Sequence, residues 1–155
     1  MRYLAGIDIG GTKCAVTLGE ERPAAASAET SEEQIRILDK IKFSTPAQPD
    51  QAVRQMTDAL AELLERHPEA ALEAVGVSCG GPLDSGRGLI LSPPNLPGWD
   101  GIDVLSPFRE RFHVPAALQN DANACALAEW RWGAGRGTQN MIFLTFGTGL
   151  GAGLI

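Results

Sequence analysis

Positive charge is in short supply and scattered. The chain has 13 lysines and arginines against 19 aspartates and glutamates, for a net charge of -6 and an isoelectric point near 4.9. No basic run gathers charge on one face, so nucleic acid is not expected as a partner. Cysteine is sparse too: Cys14, Cys79 and Cys125 lie far apart, without CxxC spacing and within apolar stretches, which predicts buried free thiols and fits a reducing cytoplasm. Met1 leads almost directly into an apolar stretch that Asp8 interrupts, with no basic n-region, long h-region or cleavage site, so secretion by a signal peptide is not expected. The uncharged run 138–155 is long enough to raise the question of a membrane span. Its four glycines make it read as strand and turn, and no membrane partner is expected. What is present suffices for one core, since 155 residues that are 44% hydrophobic can bury a full domain.

The segment Asp8-Ile9-Gly10-Gly11-Thr12-Lys13 joins two apolar stretches. It reads as a glycine turn with a carboxylate at its entrance. Two glycines let the backbone turn tightly and bring N–H groups close to an anion, Thr12 adds a hydroxyl, and Asp8 suits a magnesium-bound water. Gly-Gly is also an ordinary hairpin dipeptide. An acid just before the turn suits a nucleotide–metal site better than a hairpin.

Periodicity places strands at about 3–9 and 13–19, an exposed polar loop from Glu20 to Glu33, and a third strand near Ile35 to Phe43. A helix follows Pro49-Asp50, with Val53, Met56, Leu60, Leu63 and Leu64 on one stripe, and stops at His67 before Pro68. Strands are expected at Leu72 to Cys79, Gly88 to Leu91 and Ala116 to Gln119, and a helix at Val104 to Phe112. Asn120-Asp121 caps a third helix running to about Trp132, which Gly133 to Gly137 breaks as a flexible link. The order predicts an α/β domain with helices packed on a mixed sheet.

Beyond the link the opening theme returns. Met141 to Phe146 reads as a strand, Gly147-Thr148-Gly149 as a glycine–threonine turn, and Leu150 to Ile155 as the next strand, as if an internal duplication were cut off early in its second half. Residues 1–137 are accordingly expected to form one domain and 138–155 the first strands of a second. Gly147-x-Gly149-x-x-Ala152 formally satisfies a dinucleotide fingerprint but lacks the following helix and the later acid, and a Walker-type loop is absent.

Five ordered motifs, Asp8 to Lys13, Gly80-Gly81-Pro82, Pro94-Asn95-Leu96, Asn120 to Ala124 and Gly147 to Gly153, resemble the ROK (repressor, open reading frame, kinase) family of sugar kinases over essentially the whole chain. The resemblance implies an actin-like ATPase (ribonuclease H-like) fold and phosphorylation of a hexose or N-acetylhexosamine by ATP with magnesium in a cleft between two related domains. Asp121 would be the base that accepts the sugar hydroxyl proton, a role typically worth about 10²- to 10⁴-fold in rate. An aspartate at a helix start is also an ordinary cap, and it could do both jobs. Gly81 would let the backbone approach the ring, and Asn95 and Asn120 each offer one acceptor and two donors for vicinal hydroxyls. Trp99 could wall the sugar or only anchor the loop. Gly10, Gly11, Thr12 and Lys13 would face the β- and γ-phosphates with Asp8 directed at magnesium, and Gly147, Thr148 and Gly149 would hold the nucleotide from the other side. Lys13 either helps neutralise charge or is simply solvated.

Family members usually continue through a Glu-x-Gly-His segment, a structural zinc cluster and the adenine pocket, and none of these is in the 155 residues. His67 and His113 sit at expected helix ends without a cysteine cluster. The winged helix-turn-helix of ROK repressors is not among the seven residues before Asp8, so a DNA-reading role is not expected. The expectation is the first part of a cytoplasmic, glucokinase-like enzyme, homo-oligomeric as a whole protein and inactive as this piece alone. The alternative is a non-catalytic sugar- or nucleotide-sensing module or ROK-type regulator fragment.

Overall fold

The computed structural model describes residues 1–22, 34–146 and 149–155. Strand β1 (Arg2–Ile9) buries Ala5, Ile7 and Ile9 and leaves Gly6 and Asp8 exposed on its other face, as the two-residue period of a strand requires. β2 (Lys13–Arg22) returns antiparallel to it, and β3 (Gln34–Ser44) pairs antiparallel with β2. Then come α1 (Pro49–Arg66), β4 (Leu72–Cys79), β5 (Leu83–Asp84), β6 (Leu89–Leu91), β7 (Asp100–Asp103), α2 (Ser106–Phe112), β8 (Ala116–Asn120), α3 (Asp121–Trp132), β9 (Ile142–Phe146) and β10 (Leu150–Leu154). β4 joins β1 in parallel and β8 joins β4 in parallel, giving the expected mixed sheet, in the order β3-β2-β1-β4-β8.

The stripe of α1 packs on one face of this sheet. Ala52, Val53, Met56, Leu60 and Leu63 are buried with Ile7, Val16, Leu18, Val75, Val77 and Phe108 of α2, each large side chain contributing about 1.5–3 kcal/mol. α3 covers part of the opposite face. Its last residue, Trp132, lines an apolar hollow of about 400 Å³ with Leu4, Gly6, Gly19 and Gly76. Among the described residues no helix is long and apolar enough to cross a membrane.

Several expectations are corrected. Glu20 to Arg22 are not loop but the end of β2, and Glu20 and Glu21 are only 3% and 4% exposed. Arg22 and Arg36 pair with Glu20, while Arg2 and Arg131 each reach Glu21 at 3.1 Å, so the two carboxylates are buried with compensating charge. The rest of that expected loop, 23–33, lies outside the described residues. α2 starts at Ser106 rather than Val104, because Asp103 Oδ1 accepts from the N–H groups of Leu105 and Ser106 at 2.9 and 3.0 Å and so defines the turn into the helix. Strands β5 and β7 were not anticipated, being too short to show alternation. Cys14 and Cys79 are buried, but Cys125 is exposed on α3.

The segment 133–137 is a set of hydrogen-bonded turns rather than a loose link. Glu129 O accepts from Gly133 N and Gly135 N at 3.0 and 2.9 Å, and Glu129 Oε2 accepts from Ala134 N at 2.9 Å. The hairpin β9–β10 that follows docks on α3 through glycine. A Cβ at Gly153 would lie 2.5 Å from both Ala122 O and Ala126 Cβ, so only glycine permits that approach. The hairpin's other face presents Ile142, Leu144, Phe146, Leu150 and Leu154, all exposed.

Candidate functional site

The parallel strands β1, β4 and β8 end at one edge of the sheet, the edge where loops leaving an open α/β sheet meet in a crevice. Register sets Asp8 beside Ser78 and Ser78 beside Gln119, and one residue further Ile9, Cys79 and Asn120 stand in a row. The segments carrying Gly10 to Lys13, Gly80-Gly81 and Asn120-Asp121 therefore leave the sheet side by side. Asn95 enters from the loop between β6 and β7.

The glycines record how closely these loops approach. A Cβ at Gly11 would lie 2.5 Å from Asn95 O and 3.0 Å from Asn95 Cβ, so the turn after β1 touches the Asn95 loop. A Cβ at Gly80 would be 3.9 Å from Asn95 Oδ1 and 3.9 Å from Asp121 Oδ2, which brings those two oxygens within about 8 Å of one another. A Cβ at Gly81 would be 3.6 Å from Asn120 Nδ2. Gly81, Asn95, Asn120 and Asp121 are thus brought together, with Asn95 and Asp121 exposed and Gly81 and Asn120 half-buried.

Asn120, not Asp121, caps α3. Asn120 Oδ1 accepts from Ala122 N at 3.0 Å and Asn123 N at 3.4 Å. This corrects the full set of hydrogen-bonding positions expected of Asn120: its oxygen is engaged in the helix, and its amide nitrogen faces Gly81. Asp121 is the first helical residue, with Oδ1 accepting from Ala122 N at 2.8 Å and Oδ2 on the side of Gly80. As an anion in the first turn of a helix it also meets the positive end of the dipole.

The turn after β1 is closed by Gly10 N donating to Lys13 O at 3.1 Å. Thr45, just beyond β3, holds it from behind: its hydroxyl donates to Gly10 O at 2.6 Å and its N–H to Thr12 O at 3.0 Å. Gly11, Thr12 and Lys13 are exposed. Asp8 is exposed and accepts from Ser78 Oγ through Oδ1 at 3.0 Å. Among the described residues no group of three His, Cys, Asp or Glu could hold a metal ion. One carboxylate with an open second oxygen fits magnesium, which keeps several waters and takes its other ligands from phosphates. Behind the edge, burial followed by the charges of Asp121 and Asp8 pushes the Cys79 thiol up to about 12, which keeps it neutral.

Trp99 is 1% exposed, and its carbonyl accepts from Ser92 N at 2.7 Å, so it anchors the Asn95 loop and walls no ligand. Gly149 is exposed at the entrance to β10, while Gly147 and Thr148 lie outside the described residues. Sequence reasoning missed Ser78 and Thr45. Ser78 could be found only from the β1–β4 register, and Thr45 only from the β2–β3 pairing that brings it back to the turn.

The sequence profile of the ROK family matches residues 4–155. A glucokinase of Streptomyces coelicolor is 33% identical over 155 residues, covering all of this chain and 44% of that protein. The crystal structure of a ROK family glucokinase from Streptomyces griseus, in complex with glucose and AMPPNP, superposes with a TM-score of 0.76 at 34% identity, covering 99% of this chain and 44% of that one. The ROK hexokinase of Thermus thermophilus gives a TM-score of 0.77 at 33% identity, covering 99% and 46%. The chain therefore spans less than half the length of each of these three relatives.

Proposed function

Since the chain belongs to the ROK family and has the actin-like ATPase fold of that family's sugar kinases, we propose that it supplies the sugar-binding and first phosphate-binding part of an ATP-dependent hexose or N-acetylhexosamine kinase of glucokinase type. The observation that carries this reading is the convergence of Asp121, Asn95 and Asn120 on Gly80-Gly81, with the Gly10 to Lys13 turn touching the Asn95 loop.

In this reading the sugar lies against Gly81, with hydroxyls bonded by Asn95 and by the Asn120 amide nitrogen. Asp121 takes the proton of the attacking hydroxyl through Oδ2, the oxygen not engaged by Ala122. The sugar oxygen forms the new bond to the γ-phosphorus, the bond from that phosphorus to the β–γ bridging oxygen breaks, and ADP leaves with the electron pair. Gly10 to Lys13 align the phosphates from one side, and Gly147 to Gly149 from the other. Magnesium supplies charge neutralisation when bound, and Asp8 orients one of its waters. Such a reaction depends mostly on alignment and charge neutralisation. We assign residues 1–137 to the first domain and 138–155 to the start of the second.

Asp121→Asn in the intact protein tests the proposal. The variant is expected to fold, because Asn120 still caps α3, to bind glucose with little change, and to lose at least about 10²-fold in kcat. Turnover within a few-fold of the unmodified protein would remove Asp121 from the base role. Glucose binding without turnover in the unmodified protein would identify a sensing module instead.

A further inference from the structure

The Thr45 side chain is in contact with both the exit of β1 and the entry of β2. Its hydroxyl is 2.6 Å from Gly10 O, its N–H is 3.0 Å from Thr12 O, and the thiol of Cys14 is 3.5 Å from the same hydroxyl oxygen. A hydroxyl carries one proton. With that proton on Gly10 O, the Cys14 thiol must be the donor to Thr45 Oγ1. A directional relay results, from Cys14 S–H to Thr45 O–H to the Gly10 carbonyl. Cys14 is fully buried, and burial pushes its thiol above the ordinary range, so the donor proton stays in place.

The consequence lies on the other side of each peptide plane. In a trans peptide the carbonyl and the following N–H point in opposite directions. Drawing the Gly10 carbonyl toward Thr45 aims the Gly11 N–H away from it, and drawing the Thr12 carbonyl the same way does so for the Lys13 N–H. Glycine at 10 and 11 would otherwise leave the Gly10–Gly11 plane free to rotate.

We propose that Thr45 is a positioning residue for nucleotide phosphate: by holding the Gly10 and Thr12 carbonyls it fixes the amide donors of the turn toward the anion. The inference rests on the kinase reading above. Thr45 touches neither ligand and acts only through the turn. It couples the start of α1 to the turn, since only three residues separate it from Pro49.

The test uses the intact protein with three variants, Thr45→Val, Thr45→Ala and Thr45→Ser, and two probes, MgAMPPNP and glucose, titrated by calorimetry. Valine keeps the shape and the backbone N–H but removes the hydroxyl, so MgAMPPNP affinity is expected to fall about 2- to 10-fold. Glucose affinity is expected to stay within about twofold, because the Asn95, Asn120 and Asp121 hydrogen bonds are untouched. Serine, which keeps the hydroxyl, should restore nucleotide affinity. Alanine should behave as valine does. Unchanged MgAMPPNP affinity in Thr45→Val, equal loss for both probes, or no rescue by serine would overturn the inference. So would failure of both Thr45→Val and Thr45→Ala to fold, which would make the contact purely structural. If the unmodified protein binds MgAMPPNP but phosphorylates no hexose, the kinase reading falls while the Thr45 comparison still reads the turn.

Discussion

Asn95 and Asn120 carry the same amide and yet are predicted to respond differently to removal. Asn95 is exposed on a loop anchored by Trp99, and in the proposed reading its side chain serves only the sugar. Asn95→Ala should therefore raise the sugar KM, by about 2- to 10-fold for one lost hydrogen bond, and leave the ATP KM and the melting temperature alone. Asn120→Ala also removes the α3 cap, at about 1 kcal/mol of stability, so it should raise the sugar KM and lower the melting temperature together. Steady-state kinetics beside thermal melts separate the two, and an ATP-selective defect in either variant would contradict the assignment. Ser78 makes a parallel case. Its hydroxyl orients Asp8 Oδ1, so Ser78→Ala should raise the magnesium concentration needed for half-maximal activity while sugar affinity holds, and Asp8→Ala should do so more strongly. Equal loss of magnesium and sugar responses would point to a folding role at the β1–β4 pair.

At the scale of elements, the far end of β2 shows how charge can be built into a sheet. Glu20 is buried, and its carboxyl is held below the usual glutamate range, first by the hydrogen bond from Arg22 and then by that from Arg36 on β3. A carboxylate depressed in the folded state contributes stability above its unfolded pKa, near 4.3 for glutamate, and loses that contribution as pH falls through the depressed value. Melting temperature should therefore drop as the solution is acidified below about pH 4.3, and Glu20→Gln should flatten that part of the profile while lowering stability at neutral pH. A pH profile identical in the two proteins would show that the pair does not couple folding to protonation. Glu21 performs a different task, joining Arg2 of β1 to Arg131 near the end of α3 and so tying that helix across the sheet.

For the whole molecule, the Streptomyces glucokinases this chain matches are more than twice its length, and the proposed kinase needs phosphate contacts from both sides of a cleft. The 155-residue chain on its own is expected to show no ATP-dependent phosphorylation of glucose or an N-acetylhexosamine above an Asp121→Asn control. It is also expected to self-associate through the exposed apolar face of β9–β10, which sedimentation velocity over a concentration series would register as a rising sedimentation coefficient. Activity in the isolated chain would require a site complete within these residues or rebuilt between two copies.

Local chemistry, readable in the order of residues, determined much of this protein: the alternation that makes β1 and β4, the stripe that seats α1, the glycines after Asp8, and the carboxylate that opens α3. Those signals sufficed for an α/β domain with a mixed sheet and for the residues to watch. Tertiary structure decided what depends on pairing between distant segments. Ser78 meets Asp8 only because β4 lies parallel to β1, and Thr45 reaches Gly10 only because β3 returns along β2. Glu20 and Glu21 looked like loop residues until Arg22, Arg36, Arg2 and Arg131 converged on them. Which of Asn120 and Asp121 caps the helix turns on the backbone at that junction: Asn120 sits just outside the helix, where its oxygen reaches two free amides, and Asp121 is left with one oxygen on the side of Gly80. Propensity and period act along the chain, whereas these contacts are set by register between strands, and no single segment encodes that register.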